Sequence, residues 1–269
     1  MPITIPQKTA LVTGSSRGLG RGIVLKLAEA GVKKIAVNYK ENDAAAQETA
    51  RLLKERGAEA LLLKADVGNV DQIKAMFAKI KQAWGSLDIY VSNARATLAT
   101  GFYAGPMDVS LEQWQATYDS QVKEFLIATR EAVAMMGKNG RVISITYTTK
   151  GSWQPWVAMG SAKAAKDAVA RYFAVALAPK GITVNIVSPG ACDDSVLSGL
   201  PPDVFKMIKD WHESGWTPMR RLGTPADVGN GVVLLCSETA NFITGQTLFL
   251  DGGAEMMTPV FPLPILGIK

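Results

Sequence analysis

The chain has 269 residues, of which 48% are hydrophobic and 20% are charged, so it can bury a large core within one domain. Its net charge of +5 comes from scattered basic residues without a basic block and interleaved aromatic residues, which argues against a nucleic-acid-binding protein. Cys192 and Cys236 lie far apart in sequence and His212 is the only histidine. The sequence therefore lacks residues that a disulfide framework, a zinc site or a serine–histidine triad would need.

Seven short β-rich runs alternate with longer helical patterns along the chain. Runs such as Ile143–Ile145 and Val184–Val187 are apolar on both faces, which is typical of parallel strands covered on both sides. Because the alternation requires right-handed crossovers, the sequence predicts an α/β fold with a doubly wound, seven-stranded parallel sheet and helices on both faces. The predicted strands are Thr9–Val12, Lys34–Asn38, Ala60–Lys64, Ile89–Ser92, Arg141–Ile145, Thr183–Val187 and Thr247–Leu250, with six helical stretches between them.

A single domain is predicted over residues 1–255. Residues 256–269 form a proline-rich apolar tail, in which Pro259, Pro262 and Pro264 exclude regular helix. We expect the tail to pack on its own subunit or on a neighbour. No apolar run reaches about 18 residues and no charged-then-apolar leader precedes the first predicted strand, so we expect a cytoplasmic protein without a membrane span.

A glycine-rich segment joins the first predicted strand to the first helix. Gly14 permits a tight turn, Gly18 lets the backbone approach a pyrophosphate, and Gly20 allows the helix to pack on the strand. The helix N-terminus offers free N–H groups to an anion, so this position favours nucleotide binding over a purely structural turn. The predicted nucleotide contacts here are Gly14, Ser15, Ser16, Arg17, Gly18, Leu19 and Gly20.

The second predicted strand ends at Asn38, Tyr39 and Lys40, where an enzyme for unphosphorylated NAD usually carries a carboxylate. No Asp or Glu stands at this strand end. Arg17 and Lys40 can instead face a 2′-phosphate, which favours NADPH as the cofactor. Glu41 keeps NADH open, and an exposed loop charge is the alternative interpretation of Lys40.

From Lys8 to Gly253 the chain resembles a short-chain dehydrogenase/reductase, a family with a Rossmann-type fold. The residues that match its landmarks in order are the glycine turn, Asp66-Val67, Ser92-Asn93-Ala94, Lys163, Pro189-Gly190 and Asp251-Gly252-Gly253. The resemblance implies that Asp66 and Val67 contact adenine and that Asn93 and Ala94 lie on the ribose side. It also implies that Lys163 binds the nicotinamide ribose hydroxyls, and that Pro189, Gly190 and Ala191 meet the carboxamide.

The sequence departs from the family pattern at the reacting centre. The usual Asn-Ala-Gly reads Asn93-Ala94-Arg95, the helix-four asparagine is matched to Ser120, and Tyr-x-x-x-Lys begins with Met159 in place of tyrosine. The chain is more similar to the enoyl-thioester reductase branch, whose Tyr-x6-Lys pattern reads here from Trp156 to Lys163. That branch also has an outer tyrosine after strand five, matched to Tyr147. Two further segments are shared with it, Thr217-Pro218-Met219-Arg220-Arg221 and Asp227-Val228-Gly229-Asn230.

Helical geometry places Trp156, Met159 and Lys163 on one face. Reduction of a carbonyl must end with a proton on oxygen, for which Met159 offers nothing and the indole of Trp156 does not ionise near neutral pH. In enoyl reduction the oxyanion is transient, so a hydrogen bond can suffice. The predicted catalytic residues are therefore Tyr147 as hydrogen-bond donor, Lys163 at the ribose, and Trp156 with Met159 as a wall. Aromatic packing of Tyr147 on the sheet and core packing of Met159 are the structural alternatives.

The substrate side is predicted from Arg95 and from a lid. Arg95 either holds a substrate carboxylate or phosphate or turns into solvent. The apolar segment of residues 193–218, including Leu197 and Phe205, lies where the family folds a substrate lid, and Trp153 is a candidate pocket residue.

The expected function is NADPH-dependent reduction of the carbon–carbon double bond of an enoyl thioester, linked to coenzyme A or an acyl carrier protein, in fatty acid or polyketide metabolism. The alternatives are a carbonyl reductase or alcohol dehydrogenase with a non-standard proton donor, and a non-catalytic NADPH-binding pseudoenzyme. The resemblance implies a homo-oligomer, a dimer or tetramer, that pairs the fourth and fifth long helices. No metal, nucleic acid or membrane span is expected.

Overall fold

The computed structural model describes residues 3–5, 8–95, 104–147, 156–194, 197 and 200–257. Within these ranges, seven strands form one parallel sheet in the order β3-β2-β1-β4-β5-β6-β7. This confirms the predicted doubly wound sheet. The strands are β1 Thr9–Val12, β2 Lys34–Tyr39, β3 Glu59–Lys64, β4 Ile89–Ser92, β5 Arg141–Ile145, β6 Thr183–Pro189 and β7 Thr247–Leu250.

Three strands are longer than predicted. Strand β2 continues to Tyr39 because that residue pairs with Lys64, and β3 begins at Glu59 opposite Lys34. Strand β6 reaches Pro189, which lies opposite Leu250 of the edge strand β7. Each extension comes from pairing with a neighbouring strand, which a single segment of sequence does not reveal.

Eight α-helices accompany the strands in the described part of the chain, so six helical stretches between the strands proved too few. The connection from β4 to β5 holds two helices joined by a π-helical turn at Asp119–Lys123, and the connection from β6 to β7 also holds two. The helices are α1 Gly18–Glu29, α2 Asp43–Glu55, α3 Val70–Trp84, α4 Leu111–Tyr118, α5 Glu124–Val133, α6 Val157–Leu177, α7 Pro202–Trp211 and α8 Pro225–Cys236.

Apolar layers cover both faces of the sheet, as the continuous hydrophobic strands predict. On one face, side chains of α1 and α8 pack against alternate residues of the central strands. On the other face, α3, α5 and α6 form the second layer. Helices α1 and α8 approach closely at Gly22, where an added Cβ would lie 2.5 Å from Cβ of Pro225.

None of the described helices is long and apolar enough to cross a bilayer. The predicted tail of residues 256–269 is described only as far as Met257, and its remaining positions lie outside the described residues.

Candidate active site

The glycine turn after β1 has the backbone that the sequence requires. Gly14 and Gly18 adopt left-handed φ values of 63° and 56°, a conformation that favours glycine. An added Cβ at Gly20 would lie 2.7 Å from both Nδ2 of Asn93 and Cα of Ser15. Helix α1 begins at Gly18 without a side-chain cap and without an acidic residue in its first turn, both within the fully described range 8–95. Its N-terminal amides therefore fit the pyrophosphate of a dinucleotide.

Side chains from the neighbouring strand ends hold this turn in place. The carboxamide of Asn93 donates to the carbonyl oxygens of Thr13 and Gly14 at 2.9 and 3.1 Å. The hydroxyl of Thr13 accepts from the backbone amides of Asn93 and Ala94 at 3.0 and 3.1 Å. The turn and the end of β4 thus form one rigid unit.

Asn38 supports the turn from the other side. Its side chain is 1% exposed, accepts from the amide of Gly14 at 3.1 Å, and donates to the carbonyl oxygens of Leu63 and Ala65. Ser15 is buried as well, and its hydroxyl donates to the Val12 carbonyl oxygen. Predicted contacts from Asn38 and Ser15 to a nucleotide would thus act through the backbone that these side chains position.

Other residues of the turn divide into buried and exposed. Arg17 is exposed and Leu19 is half-buried. The carbonyl oxygen of Ser16 accepts from Arg21 Nη2 at 2.7 Å and from the Thr49 hydroxyl at 2.9 Å, so Ser16 is fixed by α1 and α2. Arg17 is thereby the cation of this turn that faces solvent.

Lys40 and Asp66 meet at the ends of β2 and β3. Nζ of Lys40 lies 2.9 Å from Oδ2 of Asp66, and Oδ1 of Asp66 accepts from the Gly68 amide at 2.8 Å. Partial burial opposes ionisation of Asp66, but these hydrogen bonds outweigh it and hold its pKa below the ordinary value. Val67 beside it is buried, and the Tyr39 hydroxyl donates to Asp43 at 2.9 Å.

Helix α6 brings Lys163 and Met159 to the end of β5. Nζ of Lys163 donates to the carbonyl oxygen of Ile145 at 2.8 Å, and the residue is 7% exposed. Met159 is 3% exposed, one helical turn earlier. A thioether thus occupies the buried position that precedes the lysine by one turn.

Tyr147 follows β5 and contacts Trp156 edge to face, with ring centroids 5.5 Å apart and an interplanar angle of 84°. Burial raises the pKa of the Tyr147 hydroxyl above its ordinary value, and the nearby Glu255 carboxylate adds to the shift. This phenol therefore keeps its proton at neutral pH and can act as a hydrogen-bond donor.

Pro189, Gly190 and Ala191 continue the same edge of the sheet after β6. A Cβ at Gly190 would lie 2.8 Å from Cβ of Asp251, and its amide donates to the Leu250 carbonyl oxygen at 3.0 Å. The predicted residues thus follow the carboxyl ends of β1 to β6, along one edge of the sheet. The strand order reverses between β1 and β4, and this point is the usual ligand position in such sheets.

The polar side chain that α4 and α5 send to this edge is Gln121, not Ser120. Nε2 of Gln121 donates to the Ala94 carbonyl oxygen at 2.9 Å, whereas the Ser120 hydroxyl donates to Thr117 within its own helix. Both lie in the π-helical turn of residues 119–123, which changes the direction of successive side chains. The family's helix-four asparagine was matched to Ser120, but the structure brings the adjacent residue, Gln121, to the end of β4.

Glu124 and Lys166 are two further residues that sequence reasoning missed. Both are 0% exposed and contact Ser92 of β4, Glu124 through the Ser92 hydroxyl and Lys166 through the Ser92 carbonyl oxygen. Charged side chains in helices are ordinarily assigned to the surface, so nothing in the pattern indicated them.

The substrate side is described in part. Arg95 is exposed after β4, while Leu197 and Phe205 are half-buried. Trp153 lies outside the described residues. Within the predicted lid, α7 is followed by a π-helical turn in which Gly215 has φ 115°. The ring centroids of Trp211 and Trp216 lie 4.4 Å apart, with the ring planes tilted by 31°. No cluster of three or more metal-ligating side chains occurs among the described residues.

Comparison with known proteins assigns the family. A family model described as enoyl-(acyl carrier protein) reductase matches residues 14–255. The chain is 33% identical to 1-cyclohexenylcarbonyl-CoA reductase of Streptomyces collinus, covering 95% of this chain and 89% of that protein. It is 32% identical to a 3-oxoacyl-[acyl-carrier-protein] reductase of Staphylococcus aureus, covering 93% and 98%.

A solved structure agrees with these relatives. A short-chain dehydrogenase from Burkholderia cenocepacia in complex with NADP superposes with a TM-score of 0.83 at 27% identity, covering 93% of this chain and 98% of that one. The chain therefore belongs to the short-chain dehydrogenase/reductase family and is an NAD(P)H-dependent oxidoreductase.

Proposed function

We propose that the protein catalyses the NADPH-dependent reduction of the carbon–carbon double bond of an enoyl thioester. The observation that carries this proposal is the pair of groups around Lys163. A buried thioether, Met159, precedes it by one helical turn, and Tyr147, two residues after the Ile145 carbonyl group that Lys163 contacts, is a protonated donor beside Trp156. This arrangement suits a transient oxyanion better than an alcohol product.

Each group at the site has a separate chemical role in this proposal. When bound, the nicotinamide supplies a hydride to a substrate carbon. Tyr147 would donate a hydrogen bond to the thioester oxygen without giving up its proton, because its pKa is raised. Lys163 would bind the ribose hydroxyls, exchanging its hydrogen bond to the Ile145 carbonyl oxygen, while Trp156 and Met159 keep water from the reacting face.

The choice of NADPH is supported by Arg17 and Lys40. Arg17 is exposed beside the turn, and Lys40 keeps its ammonium at the β2 end through Asp66. The related Burkholderia cenocepacia structure contains NADP. Both cations can approach a 2′-phosphate, although Lys40 must share its charge with Asp66.

Replacing Lys40 tests the cofactor choice. Lys40→Glu should lower the affinity for NADPH by about tenfold or more and leave the affinity for NADH unchanged or higher, because it places a carboxylate where the 2′-phosphate would lie. Dissociation constants from nicotinamide fluorescence measure both. Lys54→Glu, an exposed charge reversal at the end of α2, is the matched control. Equal losses for the two cofactors would contradict the proposal.

The acyl group is proposed to lie under the lid of residues 193–218, near Leu197 and Phe205, with Trp153 and Arg95 as further substrate contacts. The half-buried side chains of Leu197 and Phe205 support an apolar ligand. The relative from Streptomyces collinus acts on a coenzyme A thioester by its name, which supports a thioester substrate. Presentation by an acyl carrier protein is proposed on the family model's description.

Carbonyl reduction is the second candidate function. It is favoured by the 3-oxoacyl-[acyl-carrier-protein] reductase relative, which is almost as similar in sequence as the 1-cyclohexenylcarbonyl-CoA reductase. Against it stands Met159 at the buried position before Lys163, because this side chain cannot give a proton to an alkoxide.

A substrate panel separates the candidates. NADPH oxidation is measured with enoyl-CoA thioesters, with 3-oxoacyl-CoA thioesters of the same chain length, and with cofactor alone. Consumption with the enoyl series alone is the expected result. Turnover with 3-oxo substrates alone would assign carbonyl reduction, and NADPH binding without turnover of either series would contradict both.

We also propose a homo-oligomer that pairs the helical layer of α4, α5 and α6. Its support is the exposure of apolar side chains on this layer, Leu111 at 83%, Tyr172 at 81% and Val175 at 78%. Sedimentation analysis would test it, and a monomer at micromolar concentration would contradict it. The cytoplasmic location stays a prediction.

A further inference from the structure

A group of polar side chains is buried around Lys166, one helical turn after Lys163, and has no part in the proposed reaction. Tyr90 and Ser92 of β4, Glu124 of α5 and Lys166 of α6 are each 0% exposed. Burying charged groups is costly, and a buried ion pair is often no more stabilising than apolar residues of similar size. Stability alone therefore does not explain why Glu124 and Lys166 are buried next to the site.

Hydrogen bonds connect the group into one chain. The hydroxyls of Tyr90 and Ser92 donate to the two carboxylate oxygens of Glu124, each at 2.5 Å. Nζ of Lys166 donates to the Ser92 carbonyl oxygen at 3.3 Å. Each oxygen of Glu124 thus has one hydroxyl donor, and these two hydrogen bonds stabilise its carboxylate form against the cost of burial.

Lys166 lies one helical turn beyond Lys163 on the same face of α6. Its Nζ also lies 5.5 Å from the ring centroid of Phe125, so it is held between the aromatic ring and the strand. The charged groups that act on Lys163 come from three places. They are Lys166 and Asp167 of α6, Glu124 of α5, and Arg95 after β4.

We propose that Glu124 and Lys166 are positioning residues that together set the charge of Lys163, with Glu124 favouring its ammonium form and Lys166 disfavouring it. Neither needs to touch the cofactor or the substrate. The inference rests on the proposed role of Lys163 at the cofactor ribose, and it holds equally for an enoyl or a carbonyl substrate.

Electrostatic interactions support opposite effects of Glu124 and Lys166 on the pKa of Lys163. Burial holds the pKa of Lys163 well below its ordinary value, repulsion by Lys166 adds to this, Asp167 opposes it, Arg95 adds a smaller repulsion, and Glu124 opposes. Lys163 is thereby sensitive to the removal of a neighbouring charge. Glu124 itself has a raised pKa because of burial, which Lys166 and the two hydroxyls counteract.

The experiment is a titration of the cofactor-free protein labelled with ¹³C-lysine, in which the ε-methylene signal of Lys163 is followed by NMR. Lys163→Met identifies the signal. Lys166→Met should raise the midpoint of Lys163 by about 1 pH unit, because a like charge is removed. Glu124→Gln added to Lys166→Met should lower the midpoint again, because the remaining carboxylate is lost.

Thr129→Val is the matched control. Thr129 is 0% exposed on the same helix as Glu124, and its hydroxyl has no hydrogen-bond partner among the described residues. The change is nearly isosteric and uncharged, so the midpoint of Lys163 should stay constant. A shift as large as that of Lys166→Met would show that helix packing, and not charge, sets the midpoint.

Shifts in the same direction for both steps, or no shift, would overturn the proposal. If Lys166→Met alone does not fold, Glu124→Gln is compared with the wild type. It should lower the midpoint of Lys163, because a nearby carboxylate is lost. Because the titration needs no substrate, its failure is distinct from a failure of the proposed enoyl reduction.

Discussion

The Tyr147 side chain is expected to supply the hydrogen bond on which turnover depends. Tyr147→Phe keeps the edge-to-face packing on Trp156 but removes the hydroxyl. Loss of one preorganised donor typically costs about 10² to 10³ in rate, so kcat should fall by that factor while NADPH binding is retained. Tyr118→Phe is the control, because this phenol of α4 also keeps its ring packing, on Trp114, when the hydroxyl is removed. Unchanged turnover in the first variant would remove Tyr147 from the mechanism.

Met159 is the residue expected to set the reaction type. Met159→Tyr places a phenol one turn before Lys163, and it should increase kcat/KM for 3-oxoacyl thioesters by about 10²-fold or more over Met159→Phe. The phenylalanine variant controls for the larger ring, because the site is only 3% exposed and overpacking costs about 1–3 kcal/mol. Equal activity of the two folded variants would show that a phenol here does not transfer a proton.

Strand β1, the glycine turn and helix α1 pack as a single element. At Gly20, the start of α1 lies so close to the turn that no side chain fits between them. Gly20→Ala would bring a Cβ to 2.7 Å from Nδ2 of Asn93 and must displace the turn. We expect weaker NADPH binding by fluorescence titration and a lower Tm. Gly137→Ala is the matched control, because nothing lies within 4 Å of its added Cβ. Wild-type affinity in Gly20→Ala would mean that the turn does not hold the cofactor.

The π-helical turn between α4 and α5 has a comparable effect on the site. It sends Gln121 to the Ala94 carbonyl oxygen and leaves Ser120 bonded within its helix. The same connection supplies Glu124 to the buried group around Lys166. One irregular turn thus positions two polar residues against the end of β4.

At the scale of the whole molecule, α8 from the C-terminal part of the chain packs against α1 from the N-terminal part. Asp227 in its first turn accepts from Arg221 Nη1 at 2.7 Å and from the Thr224 amide and hydroxyl, each at 2.8 Å. The Arg221 guanidinium and the Thr224 donors lower the pKa of Asp227 to about 2. Asp227 thus ties the loop before α8 to the helix N-terminus.

Low pH should weaken the hydrogen bonds that Asp227 accepts from Arg221 and Thr224. The folded-state pKa of Asp227 lies below the ordinary value of about 3.9, so its contribution is present above about pH 4 and is lost as pH falls through about 2. Urea unfolding should show Asp227→Asn less stable than the wild type at pH 6, with the difference shrinking below about pH 4 and vanishing only below about pH 2. The side chain is 36% exposed, so solvent screening keeps the effect below about 1 kcal/mol and high salt reduces it. A difference independent of pH would contradict this.

The sequence alone determined the sheet and the nucleotide turn. All seven strands were predicted, because continuous apolar runs between helical patterns are typical of buried parallel strands, and the positions of Gly14, Gly18 and Gly20 follow from local backbone requirements. The family resemblance also indicated Asn93, which follows β4, and Lys163 of α6, which contacts the end of β5.

Tertiary structure decided what depends on contacts between distant segments. Strand lengths followed from pairing partners, Gln121 replaced Ser120 because of a π-helical turn, and Asn38 proved to be a support for the turn. The burial of Glu124 and Lys166 could not be foreseen, because charged residues on helices are normally solvated and only the packing of α5, α6 and β4 encloses these two. Local pattern fixes which elements form, whereas the environment of each polar group is set only when the elements pack.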